Sequence, residues 1–152
     1  MKLIYQLAGA GWADARICDN SRCRDMAASY LSDALGDMAR AALQLLGGGR
    51  EASFSFQDDP GEHRWILSRG EEDSLRIRVL WFDDAFSPRP PERGAEVFTC
   101  DCTVLDFVGQ VSFVLQNILA EVGVEGYQRR WRNHAFPIET FTRLQGFLTT
   151  QP

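Results

Sequence analysis

Between Glu51 and Phe82 the chain alternates apolar and polar residues three times, with turn residues between the runs. In EASFSFQ, Ala52, Phe54 and Phe56 interleave with Glu51, Ser53, Ser55 and Gln57, and a period of two marks a strand with one buried face. DDPG at 58–61 turns the chain, because Pro60 presets φ and Gly61 tolerates positive values. Residues 62–69 return, GEED turns again, and LRIRVLWF sends Leu75, Ile77, Val79 and Trp81 to one face. Arg76, Arg78, Leu80 and Phe82 take the other. Three consecutive hairpin-linked strands commit the chain to an antiparallel sheet.

The flanking segments are read against that sheet. Residues 3–8 and 12–18 predict a hairpin about Gly9–Gly11. A polar connector, DNSRCRD, leads to a helix expected to start between Asp25 and Ser29, both acceptable N-caps. Leu31, Leu35, Met38, Ala42 and Leu45 recur at helical spacing on one face, and the glycines at 47–49 end it. Residues 83–94, with Pro88, Pro90 and Pro91, read as a stiff exposed loop, and EVFTCDC as another strand. From Thr103 the period returns to 3.6 through Val108, Val111, Leu115, Ile118, Leu119 and Val122, and Gly123 predicts the end of that helix. EGYQRRWRNHAFP reads as irregular or a single turn, after which Pro137 opens a last helix carrying Phe141, Leu144 and Leu148. The order ββαββββααα predicts one α+β domain over residues 1–152. Its antiparallel sheet has five to six strands, with helices packed on one face.

Charge narrows the partners. Acidic residues outnumber basic ones by 21 to 16, for a net charge of −5. This works against nonspecific binding to nucleic acid or an anionic membrane, both of which depend on Lys and Arg. It suits a basic protein. No run approaches the ~20 apolar residues of a membrane span. The opening apolar run stops at Ala10 and contains Gln6, so it reads as a strand rather than a leader, and a cytoplasmic protein is expected.

The hairpin order also gathers charge. If residues 51–82 form a meander, Asp58 and Asp59 share one end of the sheet with Asp83 and Asp84, near Trp81. These five are the candidate partner-binding residues. No catalytic residue, metal ligand or cofactor is expected, as the chain carries no phosphate-cradling glycine loop and no nucleophile or zinc-protease motif. His63 sits between Glu62 and Arg64 but shares its face with Trp65 and Leu67, which makes it a strand-end side chain rather than a general base. His63 and His134 are the only pair available to a hydrolase or nuclease. The Cys18/Cys23 and Cys100/Cys102 pairs are expected at opposite ends of the sheet, more than ~20 Å apart, which argues against a shared zinc. Cys18 and Cys23 can bridge, though in a cytoplasmic chain free thiols are expected. In YQRRWRNHAF the aromatics are expected to anchor the carboxy-terminal segment, leaving the arginines to surface acids.

ASYLSDALGDMARAALQLL, DDPGEHRWIL, RVLWFDD and EGYQRRWRNHAFP together resemble a group of small bacterial proteins. The likeness covers most of the chain and carries no catalytic residue across. By architecture alone, an acidic α+β domain is similar to the immunity proteins paired with bacterial polymorphic toxins. The expected function is a non-enzymatic protein-binding module of that type, neutralising a basic toxin. The alternatives are the two-histidine hydrolase and a self-associating protein, a homodimer for instance, pairing through the Arg-bearing sheet face.

Overall fold

The computed structural model describes residues 1–150. Seven strands and three helices follow one another as β1 (Lys2–Leu7), β2 (Trp12–Cys18), β3 (Cys23–Ser29), α1 (Ala34–Leu46), β4 (Glu51–Gln57), β5 (Glu62–Arg69), β6 (Ser74–Phe82), β7 (Ala95–Thr103), α2 (Val104–Trp131) and α3 (Ile138–Thr150). The fold is α+β, but its strands form two antiparallel sheets, β1-β2-β3 and β4-β5-β6-β7, rather than one of five to six strands. The difference comes from β3. Residues 23–29 pair with β2, with Met26 opposite Ala15 and Ala28 opposite Ala13. That third strand carries the chain into α1, and no ladder joins β3 to β4.

The expected helix start is therefore too early by more than a turn. Asp33 is the N-cap and accepts from the Gly36 N–H, at 3.3 Å. Leu31 lies outside the helix, exposed. Leu35, Met38, Ala42 and Leu45 do form the buried face. The second helix begins as its sequence dictates. Thr103 and Asp106 close a reciprocal capping box, which satisfies two amides that the first turn leaves without partners. Gly123, at φ 69°, breaks the helix there, but helical geometry resumes through Trp131. Residues 124–131 are thus a second helical piece rather than irregular chain.

By length and composition α2 is apolar enough to cross a bilayer, so the sequence does hold one run of membrane-span character. Phe107, Val108, Val111, Leu115 and Ile118 instead face the core. That core is a single cluster. It takes Leu3, Tyr5 and Ile17 from the first sheet, Phe54, Phe56, Trp65 and Ile77 from the second, and the inner faces of α1 and α2.

The β2–β3 turn decides where the sulfurs lie. Cys18 and Cys23 stand opposite each other at the mouth of that hairpin, with Cα atoms 4.1 Å apart, and are joined as a disulfide. The turn folds against β7, where Arg22 donates to the Thr99 carbonyl at 2.7 Å. Its guanidinium lies 5.2 Å from the centre of the Phe98 ring. A hollow lined by Asp19, Arg22, Thr99 and Cys100 brings the bridged pair to the side of the free one. The expected separation is wrong, because it placed residues 12–18 in the same sheet as residues 51–103, whereas β2 belongs to a separate sheet with β3. Burial raises the thiol pKa of Cys100 and pushes that of Cys102 to about 12, so both are protonated at neutral pH. Removing the bridge by Cys18→Ser with Cys23→Ser is expected to lower stability by about 2 kcal/mol, the loop-closure entropy of so short a loop. Far-UV circular dichroism should be unchanged, since the ladder holds the turn. Urea denaturation of both forms reads the difference.

Candidate functional site

The acidic end assembles as the hairpins require. Gln57 pairs with Glu62, and Glu62 with Phe82, which sets residues 58–61 beside 83–85. The Ala85 N–H donates to the Pro60 carbonyl at 2.7 Å and fastens the two segments together. Asp58, Asp59, Asp83 and Asp84 therefore lie at one end of the four-stranded sheet.

They are not equally free. Arg89 donates to Asp83 at 2.8 Å, and Asp84 accepts from the Phe86 N–H at 2.8 Å. Hydrogen bonds from the Ser87 side chain and the Phe86 amide hold the Asp84 carboxyl below its usual range. The loop that supplies these partners is no loose excursion. Residues 83–94 fold back over the outer face of β6, burying Leu80 and Phe82. A Cβ at Gly94 would meet the Phe82 ring at 2.7 Å. Arg64 fixes the return, donating to the Arg89 carbonyl at 2.6 Å and to Glu62 at 2.6 Å, with its guanidinium 4.2 Å from the Phe82 centroid. Asp58 and Asp59 remain the freer pair, although Asp58 is half-buried.

Trp81 is half-buried too. Its ring stands 4.7 Å from that of His63, and a Cβ on Gly61 would strike it at 2.2 Å. It packs the turn more than it offers an anchor. His63 is 4% exposed, and neither ring nitrogen has a hydrogen-bond partner. Burial holds its pKa down to about 4, with Arg24 pushing the same way and Asp58 opposing. A general base needs a nitrogen that can reach a substrate proton, and both nitrogens here are sealed. His63 borders a hollow of about 450 Å³ with Asp14, Arg16, Asp25 and Asp58; His134 is not part of that lining. His134 lies in the turn between α2 and α3.

The remaining candidates fall into place on burial. Tyr127, Trp131 and Phe136 are core residues, so their faces cannot stack on bases, and they anchor the carboxy-terminal segment as expected. On the outer face of the second sheet Arg76 pairs with Asp101 at 2.9 Å and Arg78 with Glu96 at 2.7 Å. That face carries balanced pairs rather than an arginine stripe. No group of three His, Cys, Asp or Glu side chains that could hold a metal ion occurs among the described residues.

The open face of the first sheet was not singled out by sequence. Asp14, Arg16 and Asp25 border the His63 hollow and also a second hollow with Ile4 and Gln6. Ile4 and Gln6 in turn border a third, against α2. Three hollows that share lining residues thus follow one another from Asp58 across the outer face of β3, β2 and β1 to α2. Their cue in the sequence is the alternation of Trp12, Asp14 and Arg16 with Ala13, Ala15 and Ile17, which gives that sheet a solvated side. Neither a protein-family model, nor a curated protein, nor a solved structure matches the chain.

Proposed function

We propose that this chain is a non-enzymatic protein-binding module whose partner is basic, acting as an immunity protein does by covering the partner's working surface. The observation that supports it most is the position of Asp58. It belongs to the acidic end with Asp59, Asp83 and Asp84, and it also borders the hollow that holds Asp14 and Asp25. Negative charge therefore continues from the sheet end into that hollow. Arg16 answers Asp25 there, at 2.5 Å, so Asp14, Asp58 and Asp59 carry the surplus. Like-signed groups around a concavity focus the field and speed the approach of an oppositely charged partner. The sealed His63 nitrogens weigh against an acid–base enzyme built on that side chain.

The same proposal places the protein in the cytoplasm, where thiols are kept reduced. The Cys18–Cys23 bridge would then open, and the β2–β3 ladder alone would hold its turn.

The test is capture from native lysate at 50 and 300 mM salt with wild type and with Asp58→Lys/Asp59→Lys/Asp83→Lys/Asp84→Lys. A basic protein is expected, retained at low salt, released at high salt, and lost at least tenfold to the variant. Retention that ignores both salt and charge reversal would remove the proposal.

A further inference from the structure

Residues 83–94, the strap folded over β6, carry a run of prolines that the acidic surface leaves unused. Pro88, Pro90 and Pro91 are all exposed. A proline ring locks φ at about −65° and removes the N–H, so this stretch has almost no donors to give a strand ladder. Each proline also holds the residue before it in the extended region, which restricts Ser87, Arg89 and Pro90. Pro90 is found there, at φ −68° and ψ 157°, close to polyproline II geometry. That helix makes no internal hydrogen bonds and leaves its backbone open to a partner.

A polyproline II helix repeats every third residue and so has three edges. Ser87 and Pro90 share one, Pro88 and Pro91 the next, and Arg89 stands on the third. Exposure divides the same way: Arg89 is half-buried and the other four are exposed. Arg89 faces its own protein, donating to Asp83 at 2.8 Å while its carbonyl accepts from Arg64 at 2.6 Å. The two outward edges carry all the prolines. A single tight helical turn follows over Pro91–Arg93. The Pro91 ring is placed by Pro90 and by its own locked φ, so it keeps its edge and only the later residues turn away. The Arg93 and Gly94 amides close that turn onto the Pro90 and Pro91 carbonyls, each at 3.0 Å. With Ala85 fastened to Pro60, the segment is tied down before, within and after its prolines. Two residues before Pro88 stands Phe86, 68% exposed, the most exposed large hydrophobic side chain among the described residues.

The geometry points to residues 87–91, with Arg93, as a preformed polyproline II ligand for a partner domain whose aromatic-lined groove ends in an acidic pocket. Grooves of this kind hold proline rings between aromatic side chains, and the ligand loses little freedom because it is already ordered. Here the anchors of the strap supply that order. Arg93 is exposed two residues past Pro91 and meets the acidic pocket, while Phe86 adds an aromatic ring at the other end. This goes beyond the reading above. It is a second surface, built of rings and one cation, and it needs none of Asp14, Asp58 or Asp59.

The probe is a panel of isotope-labelled SH3 domains whose grooves end in an acidic pocket, each titrated with the whole protein. At least one should bind, with chemical-shift changes on its groove aromatics. Pro88→Ala, Pro91→Ala and Arg93→Glu should each weaken that binding at least tenfold. All three positions are exposed, and Arg93→Glu tests the surface with the prolines left in place. Asp58→Lys/Asp59→Lys should leave binding unchanged. A panel in which no domain binds would overturn the proposal, as would binding that ignores the strap substitutions or falls outside the groove. Binding lost only to the aspartate reversal would overturn it too, while leaving the charged surface standing. Failure of the lysate capture removes the charged surface without touching this one.

Discussion

Trp131→Ala is expected to cost about 4 kcal/mol of folding stability, since deleting a fully buried indole leaves a cavity and forfeits its transfer energy as well. The indole is fully buried. It stacks on Tyr127 with centroids 5.9 Å apart, and lies 6.4 Å from Tyr5 of β1. Its Nε1 donates to the Ser32 carbonyl at 3.0 Å. One side chain at the end of α2 thus ties that helix to β1 and to the segment joining β3 to α1. Trp131→Phe keeps a ring but leaves the Ser32 carbonyl without its donor, and about 1–2 kcal/mol is expected. Arg129→Ala and Arg130→Ala should each stay within about 0.5 kcal/mol, as surface changes do. Urea denaturation of the four variants reads the series. A Trp131→Ala loss below about 1 kcal/mol, the scale of an ordinary surface-to-average substitution, would mean that the indole is not in the core. The Arg-and-aromatic run would then return to the candidates for an exposed binding surface.

That series separates what periodicity can show from what it cannot. Residues 51–82 were legible because Phe54, Phe56, Trp65, Ile77 and Val79 each fall where a period of two requires, and the turns between carry Pro and Gly. β3 was not, because CRDMAAS offers only Met26 and Ala28 as inward residues, while Asp25, Ser29 and two alanines all suit a helix start. Local propensity pointed one way, and pairing with β2 overrode it. The disulfide followed from the same omission: Cys18 and Cys23 become cross-strand neighbours only once residues 23–29 are a strand. Gly123 was correctly read as a break. What its sequence does not contain is a reason for the chain to stay out of helix afterwards, and EGYQRRW resumes it.

The candidate site divides along the same line. Hairpin order alone gathers the four aspartates, so their meeting was legible. The pairing of Asp83 with Arg89 and the hydrogen bonding of Asp84 to the Phe86 amide depend on the return of residues 83–94, which is set by Arg64 and Phe82, and no local pattern announces that. The hollows on the outer face of β1–β3 could not be seen while the first sheet lacked its third strand. The hollow against α2 needs the position of a helix roughly one hundred residues later in the chain, information that only tertiary packing supplies.

His63 carries the second large effect. Its imidazole is neutral in the fold because burial, and then Arg24, disfavour the cation more than Asp58 favours it, bringing its pKa to about 4. In the unfolded chain the same group titrates near about 6.5. The unfolded state therefore binds more protons over that interval, and stability must fall as the pH drops through it. This contribution is fully present above pH about 6.5 and amounts to a loss of about 3 kcal/mol by pH 4. Carboxylates titrate in part of the same window, so the wild-type slope alone does not isolate the histidine. His63→Leu removes the titrating group along with two buried nitrogens that have no partners. Replacing an unsatisfied polar group by an apolar one of similar size is close to neutral at about pH 7.5. At pH 4 the variant should be more stable than wild type by about 3 kcal/mol, measured by urea denaturation at both pH values. Parallel pH profiles for the two proteins would show that His63 is solvated and free to accept a proton, and the acid–base reading of this residue would then have to be reopened.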